Sequence, residues 1–145
     1  MVKEITGDLF AVSNEYYIAH CVSADYALGA GIAKRIESEF NVKDYLLRYG
    51  RHKYPDCILV GRVFNLVTKR AYYNKPAMIN LIDSLVLMKT IADQKGIHKI
   101  AMPRIGCGLD KLNWDDVRIY IEDIFEDSNI DILVVSNVKL PDIQF

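Results

Sequence analysis

The sequence predicts an α/β fold, a mixed six-stranded sheet flanked by helices, in one domain over residues 1–145. Three observations lead there. Short apolar runs alternate along the chain with longer segments of helical spacing, the pattern of interleaved strands and helices. The runs are nearly continuous in apolar residues rather than alternating, as strands covered on both faces are. Two of the runs are separated only by Gly61-Arg62, a hairpin turn, so at least one strand pairing is antiparallel and the sheet is mixed.

Taken in order, Val2 to Ile5 is a first strand, ended by Gly7-Asp8. Tyr16 to Val22 is a second, rich in β-formers. Gly29-Ala30-Gly31 then opens a helix over Ile32 to Phe40, whose Ile32, Ala33, Ile36 and Phe40 fall on one face. Val42 to Tyr49 is a short second helix, broken by Tyr54-Pro55-Asp56. Cys57 to Val60 and Val63 to Val67 are the arms of the hairpin. Asn74-Lys75-Pro76 announces a long helix with proline at its first position. Met78, Leu81, Ile82, Leu85, Met88 and Ala92 make its apolar stripe and Gly96 ends it. His98 to Met102 is a buried strand. A glycine loop and then a helix capped by Asn113 follow, with Val117, Tyr120, Ile121, Ile124 and Phe125 as the buried face of that helix. Ile130 to Val135 is the last strand, and about 138–145 is expected as a loosely held tail.

With 145 residues the chain can bury a substantial core. A net charge of −1 gives no electrostatic footprint for non-specific nucleic-acid binding, though it leaves a nucleic-acid-derived ligand open. The three cysteines match no zinc spacing, and their odd count argues against a disulfide framework. No signal peptide opens the chain and no apolar run reaches membrane-spanning length, so no membrane partner is expected. These features predict a reducing, intracellular setting: cytoplasmic, with the nucleus as the alternative in a eukaryote.

Chemistry concentrates in two loops. Met102-Pro103-Arg104-Ile105-Gly106-Cys107-Gly108-Leu109-Asp110 joins a strand to a helix. Glycines there serve the turn itself, and equally let backbone N–H groups approach a phosphate or pyrophosphate. Gly29-Ala30-Gly31 leads into a second helix start, where unpaired N–H donors favour an anion. Asp110 closes the longer loop as a carboxylate beside the guest, or as a cap for the helix that follows. Lys69 ends a strand in apolar surroundings, either as a solvated strand end or as an amine at a cleft edge. A neutral lysine attacks an aldehyde-like carbon, such as the anomeric centre of a ribose. Asp8 can accept from a base's exocyclic amine or simply form a turn. Ser23 suits a ribose hydroxyl, a phosphate or a turn. Cys107 lies in the glycine loop, but no neighbour in sequence supplies a base to activate it. His20, inside a strand, reads as a core histidine.

Five stretches carry a family likeness: Gly7-Asp8-Leu9-Phe10; Ala19-His20-Cys21-Val22-Ser23; Gly29-Ala30-Gly31-Ile32-Ala33; Thr68-Lys69-Arg70 with Lys75-Pro76; and Met102 to Asp110 with Trp114. In this order, over nearly the whole chain, the sequence resembles a macrodomain, closest to the branch of terminal ADP-ribose protein glycohydrolases. The resemblance implies a three-layer sandwich around a mixed six-stranded sheet, with ADP-ribose as ligand and mono-ADP-ribosylated protein as partner. It implies Asp8 and Leu9 at the adenine and Asn137 near the adenosine end. Ser23, Gly29, Ala30, Gly31 and Ile32 would line the distal ribose and phosphates. Arg104, Ile105, Gly106, Cys107, Gly108 and Leu109 would wrap the pyrophosphate and distal ribose. Lys69 would be the nucleophile that displaces an acyl-linked side chain, and Asp110 the acid/base that resolves the lysyl adduct. No cofactor and no metal are implied, and a monomer is expected. Other macrodomain hydrolases carry an Asn-Ala-Ala-Asn run where this chain has His20-Cys21-Val22-Ser23, which points away from an asparagine mechanism and toward the lysine. The alternatives on the same pocket are a phosphatase acting on ADP-ribose 1″-phosphate, a non-catalytic ADP-ribose reader, and the same chemistry on ADP-ribosylated nucleic acid.

Overall fold

Six strands, β1 (Val2–Thr6), β2 (Tyr17–Ser23), β3 (Asp56–Val60), β4 (Val63–Lys69), β5 (Lys99–Met102) and β6 (Asp131–Ser136), form one sheet in the order β1-β6-β5-β2-β4-β3. This is a computed structural model, and it describes residues 1–137; the tail expected over 138–145 lies outside the described residues. All the pairings are parallel except β3 with β4, the hairpin that the Gly61 turn predicts. Gly61 takes φ +58°, the left-handed conformation that glycine adopts without a steric penalty. The continuous apolar patterning of the strands is matched by burial on both faces, with Val63 through Thr68 buried without interruption.

Helices α1 (Gly31–Phe40) and α2 (Lys43–Tyr49) cover one face, and α3 (Met78–Lys95) and α4 (Trp114–Phe125) the other. Ile36 and Leu46 pack on Ile18, Val22 and Val67 on the first side. Leu81, Leu85, Met88, Ile121 and Phe125 pack on Phe64, Leu66, Ile132 and Val134 on the second. Gly96, at φ +67°, ends α3 as expected, and the Asn113 side chain accepts from Asp116 N–H to start α4.

Two local expectations are corrected. Helix α3 begins at Met78 behind Ala77, so Pro76 lies outside the helix. Asn74 is spent earlier, its side chain accepting from Ala71 N–H in the turn after β4. Tyr120 is exposed, because the buried stripe of α4 narrows to Val117, Ile121 and Phe125, one residue per turn. Between β1 and β2 a single 3-10 turn, Leu9–Ala11, is started by the Asp8 side chain.

One buried polar pair sits under α1 and α2. His20 and Asn65 are register partners on β2 and β4. Asn65 donates through its amide to the carbonyls of Ile58 and Val63, so its oxygen accepts from His20 Nε2, 2.6 Å away. His20 is therefore the core histidine that its strand position suggests, and burial pushes its pKa down to about 4. The unfolded chain binds a proton near the ordinary value of 6.5, the native state only near 4. Stability from this site is thus present above pH 6.5 and is lost as pH falls from 6.5 toward 4, by about 1.4 kcal/mol per unit. Urea denaturation across that window is expected to show this slope, and His20→Gln to flatten it by one proton. A slope unchanged in the variant would assign the pH dependence to other groups.

Candidate active site

The topology decides where a ligand fits. After β2 the chain turns through α1 and α2 toward β3 and β4, on one side of β2; after β5 it turns through α4 toward β6, on the other. Strands β2 and β5 are neighbours, paired only through Tyr17 with Ile100 and Ile18 with Ala101. Their following loops diverge and leave a crevice at the C-terminal edge of the sheet, the usual ligand position in open α/β sheets. The crevice is a cleft of about 1080 Å³. Every residue singled out from the sequence lines it: Asp8 and Leu9 after β1, Ser23 and Gly29 to Ile32 after β2, Lys69 at the end of β4, Arg104 to Asp110 after β5, and Asn137 after β6.

The two glycine loops meet across this cleft. Gly31 takes φ +59°, and a Cβ there would stand 3.3 Å from Leu109 Cδ1. Gly106 takes φ +74°, and a Cβ there would stand 2.9 Å from Leu112 and 3.2 Å from Leu81. Gly108 differs, since a Cβ at that position would meet nothing within 4 Å. Its backbone is left open toward whatever the cleft holds. Helix α1 starts at Gly31 with no side-chain cap, so its first N–H groups are available to an anion. Helix α4 does not match it, because Asn113 caps its own first turn. The expected pair of helix starts reduces to one.

Lys69 and Asp110 come together from strand and loop. Lys69 Nζ stands 2.6 Å from Asp110 Oδ1, with the two side chains only 13% and 14% exposed. An amine and a carboxylate this close and this sheltered can pass a proton directly. The thiols beside them are poor nucleophiles. Burial pushes Cys107 up to about 11, with the Asp110 charge adding to it and Arg104 opposing it. Burial also pushes Cys21 up to about 12, again with Asp110 adding to it. Both stay protonated near neutral pH, which sets Cys107 aside as an attacking group.

Several supporting contacts were not read from the sequence. Glu4 on β1 is nearly buried and accepts from Arg104 Nε at 2.6 Å and from Trp114 Nε1 at 3.3 Å. The Arg104 guanidinium also lies over the Trp114 ring at 5.4 Å. Arg104 thus turns its side chain to anchoring the glycine loop, and offers the cleft its backbone. At the opposite end Asp8 accepts from Phe10 N–H at 3.0 Å and from both terminal nitrogens of Arg35 at 3.1 Å. The Phe10 N–H first, then Arg35, hold the Asp8 carboxyl below its ordinary range. Arg35 covers the Phe10 ring at 4.1 Å. An amine donor arriving at Asp8 would share it with Arg35. A charge inside the apolar run Val2 to Ile5 was the one available signal for Glu4. Arg35 carried none, since Asp8 and Phe10 are distant from it in sequence.

No family model matches the chain. It is 39% identical over 136 residues to the ADP-ribose glycohydrolase OARD1 of Homo sapiens, covering 92% of this chain and 90% of that protein. The ADP-ribose glycohydrolase OARD1 of Bos taurus is 38% identical over the same length and coverage. Among solved structures, the macrodomain of Thermus aquaticus DarG superimposes with a TM-score of 0.83 at 19% identity, covering 93% of this chain and 97% of that one. Thermosipho africanus DarTG in complex with ADP-ribose gives 0.82 at 19% identity, over 99% of this chain and 44% of that one. The structural matches speak for the fold and the curated relatives for the lineage: this chain belongs to the macrodomain family and, within it, to the branch that holds the ADP-ribose glycohydrolase OARD1.

Proposed function

We propose that this protein binds ADP-ribose in the cleft and hydrolyses the bond between single ADP-ribose units and acidic side chains of proteins. The Lys69–Asp110 pair carries the reading, because a nearly buried amine 2.6 Å from a carboxylate, both lining the cleft, supplies a bound sugar with a nucleophile and an acid/base. The relatives named ADP-ribose glycohydrolase, and the fold shared with a protein solved in complex with ADP-ribose, support the ligand. Adenine lies toward Asp8 and Leu9, the adenosine end toward Asn137, and the pyrophosphate between the open start of α1 and the backbone of Ile105 to Leu109. The distal ribose lies beside Ser23 and Lys69.

The reaction follows from those positions. Lys69 Nζ gives a proton to Asp110 and attacks the anomeric carbon of the distal ribose. The carbon–oxygen bond to the acyl group breaks, and Asp110 passes that proton to the side-chain carboxylate as it leaves with the bonding electrons, so that Asp110 is ionised again. A water then adds at the same carbon, passing its proton to Asp110. The carbon–nitrogen bond breaks and the lysine takes back a proton. ADP-ribose is released and both residues return to their starting states.

The test offers the protein two substrates, glutamate-linked mono-ADP-ribosylated protein and ADP-ribose 1″-phosphate, with binding of ADP-ribose followed by calorimetry. Release of ADP-ribose from protein is the expected result. Turnover of the phosphate ester alone would make the protein a phosphatase. Tight binding with neither substrate consumed would make it a reader.

A further inference from the structure

Asp25 lies outside the residues assigned above, yet its carboxylate links the end of β2 to the loop that follows β4. Oδ1 accepts from the Ser23 hydroxyl at 2.5 Å and from Ala27 N–H at 3.2 Å. Oδ2 reaches across to the loop after β4 and accepts from Tyr72 N–H at 3.1 Å. The same junction is closed by Ala24 N–H donating to the Lys69 carbonyl at 2.8 Å. These bonds matter because the regular ladder fails here. Val22 pairs with Val67, but Ser23 pairs with Lys69, so the register shifts just before the lysine. Lys69 stays paired with Ser23 and bonded to Ala24 N–H, and the Asp25 carboxylate ties the turn after that shift to the chain three residues beyond the lysine.

Asp25 also decides what Ser23 can offer. Burial works against its ionised form, but the bonds from Ser23, Tyr72 and Ala27 outweigh it and hold the carboxyl below its ordinary range. The Ser23 proton is directed at that carboxylate, which leaves the Ser23 oxygen as an acceptor toward the cleft. An acceptor suits a ribose hydroxyl and repels a phosphate oxygen.

We propose that Asp25 is a positioning residue for the reaction: it ties the loop that follows Lys69 to the turn after β2, fixing the lysine against the sugar carbon, and orients Ser23 to receive a hydroxyl of the same ribose. The proposal rests on the hydrolase reading and deepens it. A misplacement of the reacting groups by about 1 Å costs on the order of 100-fold in rate. Binding, which draws on both ends of the cleft, is far less sensitive.

The test is Asp25→Asn, which keeps the shape and an oxygen for Ser23 but turns an amide NH2 toward Tyr72 N–H. Asp25→Ser, one bond too short to reach Tyr72, serves if the first variant folds poorly. Three readouts are taken: kcat and KM on glutamate-linked ADP-ribosylated protein, the Kd of ADP-ribose, and covalent labelling of Lys69. In the labelling, the terminal aldehyde of free ADP-ribose condenses with the amine, losing water, and cyanoborohydride reduces the imine to a stable amine found by mass spectrometry. The expected result is a kcat lower by about 10- to 100-fold and labelling slowed to match, with Kd changed by no more than about threefold. An unchanged kcat with a raised KM and Kd would mean that Asp25 only shapes the cradle and would overturn the proposal. So would a lowered melting temperature with labelling and kcat of the folded fraction intact. A wild-type protein that neither releases ADP-ribose nor labels at Lys69 would remove the hydrolase reading and the proposal with it. Normal wild-type activity with an indifferent variant removes the proposal alone.

Discussion

Lys69→Ala is expected to lower the release of ADP-ribose from glutamate-linked protein by roughly 1000-fold or more, about 4 kcal/mol of transition-state stabilisation. The size follows from the role. Without the amine no covalent adduct forms, and water must attack the anomeric carbon in one step, with only Asp110 at hand to take its proton. Binding of ADP-ribose should survive, because the adenine end, the open start of α1 and the glycine-loop backbone are untouched. Single-turnover kinetics together with calorimetry separate the two effects. The substitution also leaves the Asp110 carboxylate, 14% exposed, without the ammonium 2.6 Å away. A modest fall in thermal stability is expected from that loss. A variant that binds and still turns over near the wild-type rate would return Lys69 to the status of a sheltered ion-pair partner.

Gly106→Ala is expected to remove about 2–4 kcal/mol of stability, from left-handed backbone strain together with overpacking. Both causes are visible at the site. Gly106 sits at φ +74°, and an added Cβ would lie 2.9 Å from Leu112 Cδ1 and 3.2 Å from Leu81 Cδ2. Leu112 N–H is bonded at 2.7 Å to the Gly106 carbonyl, which fixes its backbone, so relief comes only from turning the two leucine side chains. For a chain of this size the melting temperature should fall by roughly 5–15 °C, read by differential scanning calorimetry. ADP-ribose affinity should fall as well, since the displaced backbone is the part that faces the pyrophosphate. Gly108→Ala is the informative partner, because its Cβ would meet nothing within 4 Å. It should leave the melting temperature nearly unchanged and weaken ADP-ribose alone. Equal destabilisation by the two substitutions would show that Gly108 serves the turn and leaves the ligand untouched.

Much of this was legible before the structure. Gly61 forces the hairpin, Gly96 and Asn113 punctuate helices, and the unbroken apolar runs identify strands buried on both faces; each is a local signal with a local physical cause. The glycine loops could be found for the same reason. Their pairing as two open helix starts could not, because Asn113 was visible as a cap while its consequence for an anion depends on where the loop ahead of it turns. Pro76 misled in a similar way. Proline is favoured at the first position of a helix, but the turn closed by Asn74 consumed the residues that would have begun it.

By itself, then, the sequence determined the element order, the mixed sheet and the residue types that could do chemistry on a phosphorylated sugar, since backbone conformation and side-chain reactivity are properties of neighbours along the chain. Only the tertiary structure decided which of them work together. Lys69 and Asp110 meet because parallel strands end at one edge of the sheet, and because the chain changes direction between β2 and β5, bringing the end of β4 and the loop after β5 to the same crevice. Glu4 with Arg104, Arg35 with Asp8, and Asp25 with Tyr72 join residues far apart in sequence, and no periodicity reports a hydrogen bond whose partner arrives from another layer.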